Sequence, residues 1–144
     1  MALQKNNLAT IQARFPDSRL TAFGDSAALS ERLLGLIRAG VKTATCSALR
    51  DYTDEDPPRA GEVFVVLDHD GAPALVIGID DVTIQTCDAL DETFALAEGE
   101  GDFADWRAGH IDFFARNGGW SPDMMIVCER FHLIADLATD AARQ

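Results

Sequence analysis

Residues 61–87 restrict the fold more than any other stretch of the chain. GEVFVVLD (Gly61 to Asp68) is rich in β-branched residues. HDGA (His69 to Ala72) carries an Asp-Gly turn signal, and ALVIGIDDVTIQTC then resumes strand character. Two strands joined by so short a turn pair antiparallel. On either side the pattern changes to helices. In FGDSAALSERLLGLIRAG, Asp25 or Ser26 can cap a helix whose apolar face is Leu29, Leu33, Leu34 and Ile37, with Gly40 ending it. KTATCSAL (Lys42 to Leu49) reads as a Thr-rich strand, and DYTDEDPPRAG as a polar loop. Asp88 or Asp91 opens a short helix through Phe94 that breaks at EGEG (Glu98 to Gly101). Asp102 caps a helix over about 103–117, with Phe103, Trp106, His110, Phe113 and Phe114 on one face. Met124 to Ile134 is the last strand. About five strands with interspersed helices predict an α+β domain with a small curled sheet. It spans 23–134, between a leading helical segment at 1–22 (Leu3, Leu8, Ile11 and Phe15, stopped by Pro16) and a frayed helical tail at 135–144.

The length fits one domain: 144 residues bury roughly 70% of their unfolded surface and need no disulfide or metal staple. No apolar run approaches the roughly 20 residues that span a bilayer, so no membrane association is expected. The opening residues, MALQKNNLATIQARF, lack a secretory pattern. Cys46, Cys87 and Cys128 are odd in number and far apart, and read as reduced thiols of a cytoplasmic protein. Acids outnumber bases 24 to 12, for a net charge of -12. Sequence-blind binding to long nucleic acid needs a basic surface, so long double-stranded DNA is not an expected partner. Of the 12 bases only Lys5 and Lys42 are lysines, and Lys, unlike Arg, can give up its proton when desolvated. The sequence carries no signal of oligomeric state.

Four stretches can carry chemistry. In GVKTATCS (Gly40 to Ser47), a Lys of lowered pKa beside a hydroxyl can activate it as a nucleophile. Strict alternation puts Lys42, Ala44 and Cys46 on one side and Thr43, Thr45 and Ser47 on the other, so a twist after Gly40 is needed to bring Lys42 to Thr45. The bland alternative is a Thr-rich strand beside an exposed Lys. In EGEGD (Glu98 to Asp102), glycines let Glu98 or Glu100 converge on Lys42 as general acid or base, or leave both as solvated turn residues. Trp106 is expected in the core and His110 nearer a cleft rim, because a spacing of four puts them on one helix side. In CERF, an inward Glu129 needs a partner such as Lys42 or Arg107. No phosphate-binding loop, dinucleotide fingerprint or Gly-x-Ser-x-Gly elbow is present. The histidines at 69, 110 and 132 lack metal-ligand spacing, and no cofactor is expected.

In order, these motifs are Gly40-x-Lys42-Thr43-x-Thr45-x-Ser47, GEVFVVLD, EGEGD, Trp106-x-x-x-His110 and CERF. Together they resemble the ASCH domain family in its longer bacterial form. The resemblance implies a PUA-like β-barrel of five to six strands flanked by helices, with a cleft under the Gly-x-Lys motif. It implies RNA binding or metal-independent hydrolysis, with a small nucleoside or short RNA as partner. The family's amidohydrolases on N4-acylcytidines use a Lys, a Thr nucleophile and a Glu. By position these fall on Lys42, Thr45 and Glu100, with Glu98 as the neighbouring possibility. Their Arg two places after the Thr is Ser47 here. A single-strand ribonuclease in the family instead maps to Lys42, Ser47 and Tyr52. Thr43, His110 and Glu129 complete the expected binding residues.

Overall fold

The computed structural model describes residues 7–137. Its elements are α1 (Leu8–Arg14), β1 (Arg19–Ala22), α2 (Ala27–Arg38), β2 (Ala44–Ala48), β3 (Val63–Leu67), β4 (Pro73–Thr86), α3 (Glu92–Ala97), α4 (Phe103–Arg116) and β5 (Met125–Asp136). The five strands form one sheet in the order β1-β3-β4-β5-β2. β1 runs parallel to β3, and the other pairs are antiparallel. The long β4–β5 ribbon breaks register between Val76 and Ile77 and again between Ile79 and Asp81. Such bulges bend and twist a ribbon. The expected α+β barrel is realised as a five-stranded curled half-barrel, and its edge strands β1 and β2 are not paired with each other.

The 61–87 hairpin forms as its sequence requires. Asp68 accepts from the Asp70 and Ala72 amides through Oδ1, at 2.9 Å each, and its own amide donates to the Ala72 carbonyl. From Ala74 to Ile79 every residue of β4 is buried, because both faces are covered. On one face α2 seats Leu34 and Ile37 against Phe64, Leu75, Ile77 and Phe131. On the other, α1 seats Ile11 against Val65, Val76 and Leu137. A third cluster lies under α3 and α4, with Phe94, Trp106 and Phe114 packed on Ala44, Ala48, Ile126 and Cys128.

The caps resolve the open choices. Ser26, not Asp25, caps α2, while Asp25 takes a bidentate contact from Arg116 on α4. Asp91, not Asp88, caps α3, and Asp102 with Asp105 forms a capping box on α4. α3 continues past Phe94 to Ala97, because EGEG rather than the apolar pattern ends it. The reading of 1–22 as a helical segment needs correction. Among the described residues of that stretch only Leu8–Arg14 is α-helical, and Arg19–Ala22 is the parallel edge strand. Four residues of mixed polarity after Pro16 carry no strand signal of their own; pairing with β3 makes them one. Arg19 then stacks 4.9 Å over Phe64 and bridges to Glu62 at 3.1 Å. Residues 135 and 136, assigned to the tail, continue β5. Leu3 and residues 138–144 of the expected tail helix lie outside the described residues. All three cysteines are free thiols. No helix among the described residues is long and apolar enough to cross a membrane.

Candidate functional site

Between α2, β2 and α4 lies a cavity of about 400 Å³. Its floor is built around a buried lysine. Gly40 leaves α2 at φ 77°, and the amides of Val41 and Lys42 both turn back to the Leu36 carbonyl. Lys42 therefore sits in a turn ahead of β2, not in the strand, and the alternation rule does not fix its direction. The turn directs Lys42 to Glu98 and Glu100, and no hydrogen bond among the described residues joins it to Thr45. Lys42 is only 2% exposed. Its ammonium meets three acceptors: Glu98 Oε1 at 3.3 Å, Glu100 Oε2 at 3.4 Å and the Glu98 carbonyl at 3.4 Å.

Glu98 is fully buried and shared among three partners. Trp106 Nε1 donates to its Oε2 at 2.6 Å, and His110 Nε2 lies 3.3 Å from its Oε1. Burial by itself pushes the Glu98 carboxyl up. The Lys42 charge and the bonds from His110 and Trp106 outweigh it and hold Glu98 below the usual carboxylate range. His110 mirrors this: desolvation disfavours its charged form, but the Glu98 carboxylate prevails and raises it. The ring stacks on Trp106 at 4.5 Å between centroids, and its Nδ1 lies 2.9 Å from the Trp106 carbonyl. A carbonyl only accepts, so Nδ1 carries a hydrogen there. Trp106 is core, as expected, but it also fixes the carboxylate through its N–H. The W-x-x-x-H spacing was the available signal for that role.

Thr45, Ser47, Tyr52 and Glu129 line the same cavity. Thr45 and Glu129 are register partners across β2 and β5, so their side chains leave one sheet face with Cβ atoms about 4.5–5.5 Å apart. Ser47 Oγ and Tyr52 Oη share a hydrogen bond of 2.9 Å. Desolvation, partly offset by that bond, raises Tyr52 above its usual value. Glu129 does point inward, but no ion pair among the described residues involves it, and the expected partnership with Lys42 or Arg107 does not form. Arg107 instead stacks over Trp120 at 5.7 Å. Burial, helped by the Glu98 and Glu62 charges, pushes the Glu129 carboxyl up to about 7 against the opposing pull of Arg19 and Lys42. Thr43 does not belong to the site. It is exposed and does not line the cavity, and its hydroxyl lies 3.4 Å from the Ala97 carbonyl.

One convergence carries no local sequence signal. Ligand atoms of Cys46, Glu98 and His110 lie within 4.8 Å of one another, a spacing at which three donors can hold a metal. The cation at Glu98 is the Lys42 ammonium, which an incoming metal would have to displace. Desolvation and the Glu98 charge raise the Cys46 thiol well above its usual value.

A family model described as ASCH domain matches residues 19–135. No curated protein matches the chain significantly. The fold is similar to the crystal structure of a DUF984 protein from Enterococcus faecalis, with a TM-score of 0.77 and 31% identity over 91% of this chain and 94% of that one. It is also similar to an ASCH domain from Lactobacillus crispatus, with a TM-score of 0.74 and 27% identity over 92% of this chain and 88% of that one.

Proposed function

The chain belongs to the ASCH domain family, and from that premise we propose that it is a metal-independent hydrolase of N4-acylcytidine-type nucleosides. The observation that carries this reading is the buried Lys42–Glu98 pair, joined by the half-buried Glu100, at a cavity that Thr45 lines. Burying Lys42 and Glu98 costs several kcal/mol of desolvation per ion, which a folding role alone does not require. The cavity is the right scale for one nucleoside. Its walls carry Asp51, Asp112 and Glu129 beside the two paired glutamates, against Arg32, Lys42 and an Arg116 already paired with Asp25; the balance is acidic and favours a neutral ligand over a polyphosphate chain.

In this reading Thr45 attacks the amide carbonyl. The bonds from Lys42 are long, so one N–H can turn to the carbonyl oxygen as negative charge develops there. Glu98, locked by Trp106 and His110, keeps the ammonium in place. Glu100, whose side chain is 18% exposed against 1% for Glu98, is the carboxylate that reaches the rim. The family resemblance assigns the proton transfer to it.

The second reading is RNA binding, with or without cleavage. The Ser47–Tyr52 hydrogen bond beside Lys42 favours it. One experiment separates the two. The protein is incubated with N4-acetylcytidine and, separately, with short single-stranded RNA, each with a chelator present. The amidase reading expects release of cytidine that falls about 10²–10³-fold in Lys42→Ala and is lost in Thr45→Ala. RNA cleavage that depends on Lys42, Ser47 and Tyr52 but not Thr45 would replace it. Binding without turnover, steeply weakened by salt, would leave an RNA-binding module.

A further inference from the structure

Resting on the hydrolase reading, we propose that Glu129, not Glu100, is the catalytic base and acid that takes the Thr45 proton and returns it to the leaving amine. Two geometric observations lead there. First, all three hydrogens of the Lys42 ammonium face acceptors, Glu98 Oε1, the Glu98 carbonyl and Glu100 Oε2, and none of its bonds goes to Thr45. Lys42 offers no lone pair to the hydroxyl, and Glu100 is engaged in holding Lys42. Second, Glu129 stands directly across the β2–β5 pair from Thr45, faces the cavity and is 8% exposed. Among the described residues neither its carboxylate nor the Thr45 hydroxyl has a hydrogen-bond or ion-pair partner. A nucleophile and its base must come within hydrogen-bond reach; cross-strand register places Thr45 and Glu129 side by side on one sheet face, and with neither committed elsewhere a rotamer change can close that contact when substrate binds.

The surroundings of Glu129 suit the task. Tyr52, from the turn after β2, lines the same cavity, and the charges that act on Glu129 are Arg19 on β1, Glu62 just ahead of β3, Lys42 before β2 and Glu98 at the end of α3. Burial among these groups raises its carboxyl to about 7, where a base is half available at neutral pH and its conjugate acid can still give the proton back.

As the Thr45 Oγ1 bonds to the acyl carbon, its proton passes to the Glu129 carboxylate. The carbonyl π pair moves onto oxygen, facing Lys42. When the carbon–nitrogen bond breaks, the nitrogen takes that proton and leaves as the cytidine amine, with the acyl group esterified to Thr45. Water then attacks the ester, giving its proton to Glu129, which restores it to the Thr45 oxygen as the acid departs.

The test measures kcat/KM for N4-acetylcytidine from pH 5 to 9 in wild type, Glu129→Gln, Glu129→Asp and Glu100→Gln. In parallel, mass spectrometry follows acylation of Thr45 by p-nitrophenyl acetate. The expected result is an acid limb centred near pH 7 in wild type. That limb persists in Glu129→Asp and Glu100→Gln. In Glu129→Gln it is absent, with the rate reduced about 10²–10³-fold. Acylation of Thr45 should show the same limb and the same loss. If N4-acetylcytidine is not turned over but Thr45 still acylates with a Glu129-dependent limb, the substrate assignment fails and the role of Glu129 stands. If Glu129→Gln, folded by circular dichroism, keeps the wild-type rate and limb, or if Glu100→Gln is the variant that loses the limb, the inference is overturned.

Discussion

Replacing Glu129 by Gln should stabilise the protein, and increasingly so as pH rises. The ordinary glutamate value is 4.5, and burial raises it to about 7 in the fold. The folded state therefore holds this proton more tightly than the unfolded chain. A group shifted in this direction contributes stability that is fully present below 4.5 and is lost as pH climbs through about 7. At about 1.36 kcal/mol per pKa unit, the gap between the two values amounts to about 3 kcal/mol. Gln has the same shape and stays neutral throughout. The two proteins should thus unfold alike in urea at pH 4, and by pH 8 the variant should be more stable by up to about 3 kcal/mol. Every other titrating group is common to both chains, so the difference isolates this residue. Parallel stability curves from pH 4 to 8 would refute the claim that Glu129 is buried without a charge partner. They would also remove the chemical basis for its role as a base.

Other perturbations follow from the same cluster. Trp106→Ala removes a ring that is 3% exposed and the donor to Glu98, and should cost about 3–5 kcal/mol by urea unfolding; a loss below about 1 kcal/mol would mean the α4 face is oriented wrongly. Lys42→Met strands the Glu98 carboxylate in the interior and should cost about 3–5 kcal/mol, with Glu98→Gln in the same chain recovering part of it; no recovery would show that the two are not coupled. The Glu98–His110 contact has two opposite pH limits. Glu98, depressed below 4.5, contributes stability above that value that is lost as pH falls through its folded value. His110, raised above 6.5, contributes stability below that value that is lost as pH rises through its folded one. Thermal unfolding of His110→Gln against wild type should therefore show the largest difference between about pH 4.5 and 6.5, and a difference growing toward pH 9 would contradict the pairing.

Local pattern was enough for the hairpin and for α2 and α4, because each carries its own turn, cap or periodicity. It failed at β1, where four unremarkable residues are strand only because β3 offers an edge. Lys42, Glu98 and Glu100 were legible as candidates, since a lysine among arginines and acids alternating with glycines are chemically odd choices. Strand alternation could not say which face Lys42 takes, because the residue lies in the turn after Gly40 and not in β2. Thr43 was misplaced for a related reason: it belongs to that turn, and its hydroxyl follows the Ala97 carbonyl, not the cavity. The isolation of Glu129 depends on what approaches it from β1, the turn after β2 and α3, three segments distant in the chain. No local pattern encodes that absence of a counter-ion.

The central claim is that Thr45, served by Lys42, opens an amide on a cytidine-type nucleoside. The most direct measurement is cytidine release from N4-acetylcytidine by wild type and Thr45→Ala, side by side in chelator. Linear release by wild type that is absent in Thr45→Ala is the expected result. No release by folded wild type, or release at the same rate by Thr45→Ala, would contradict it.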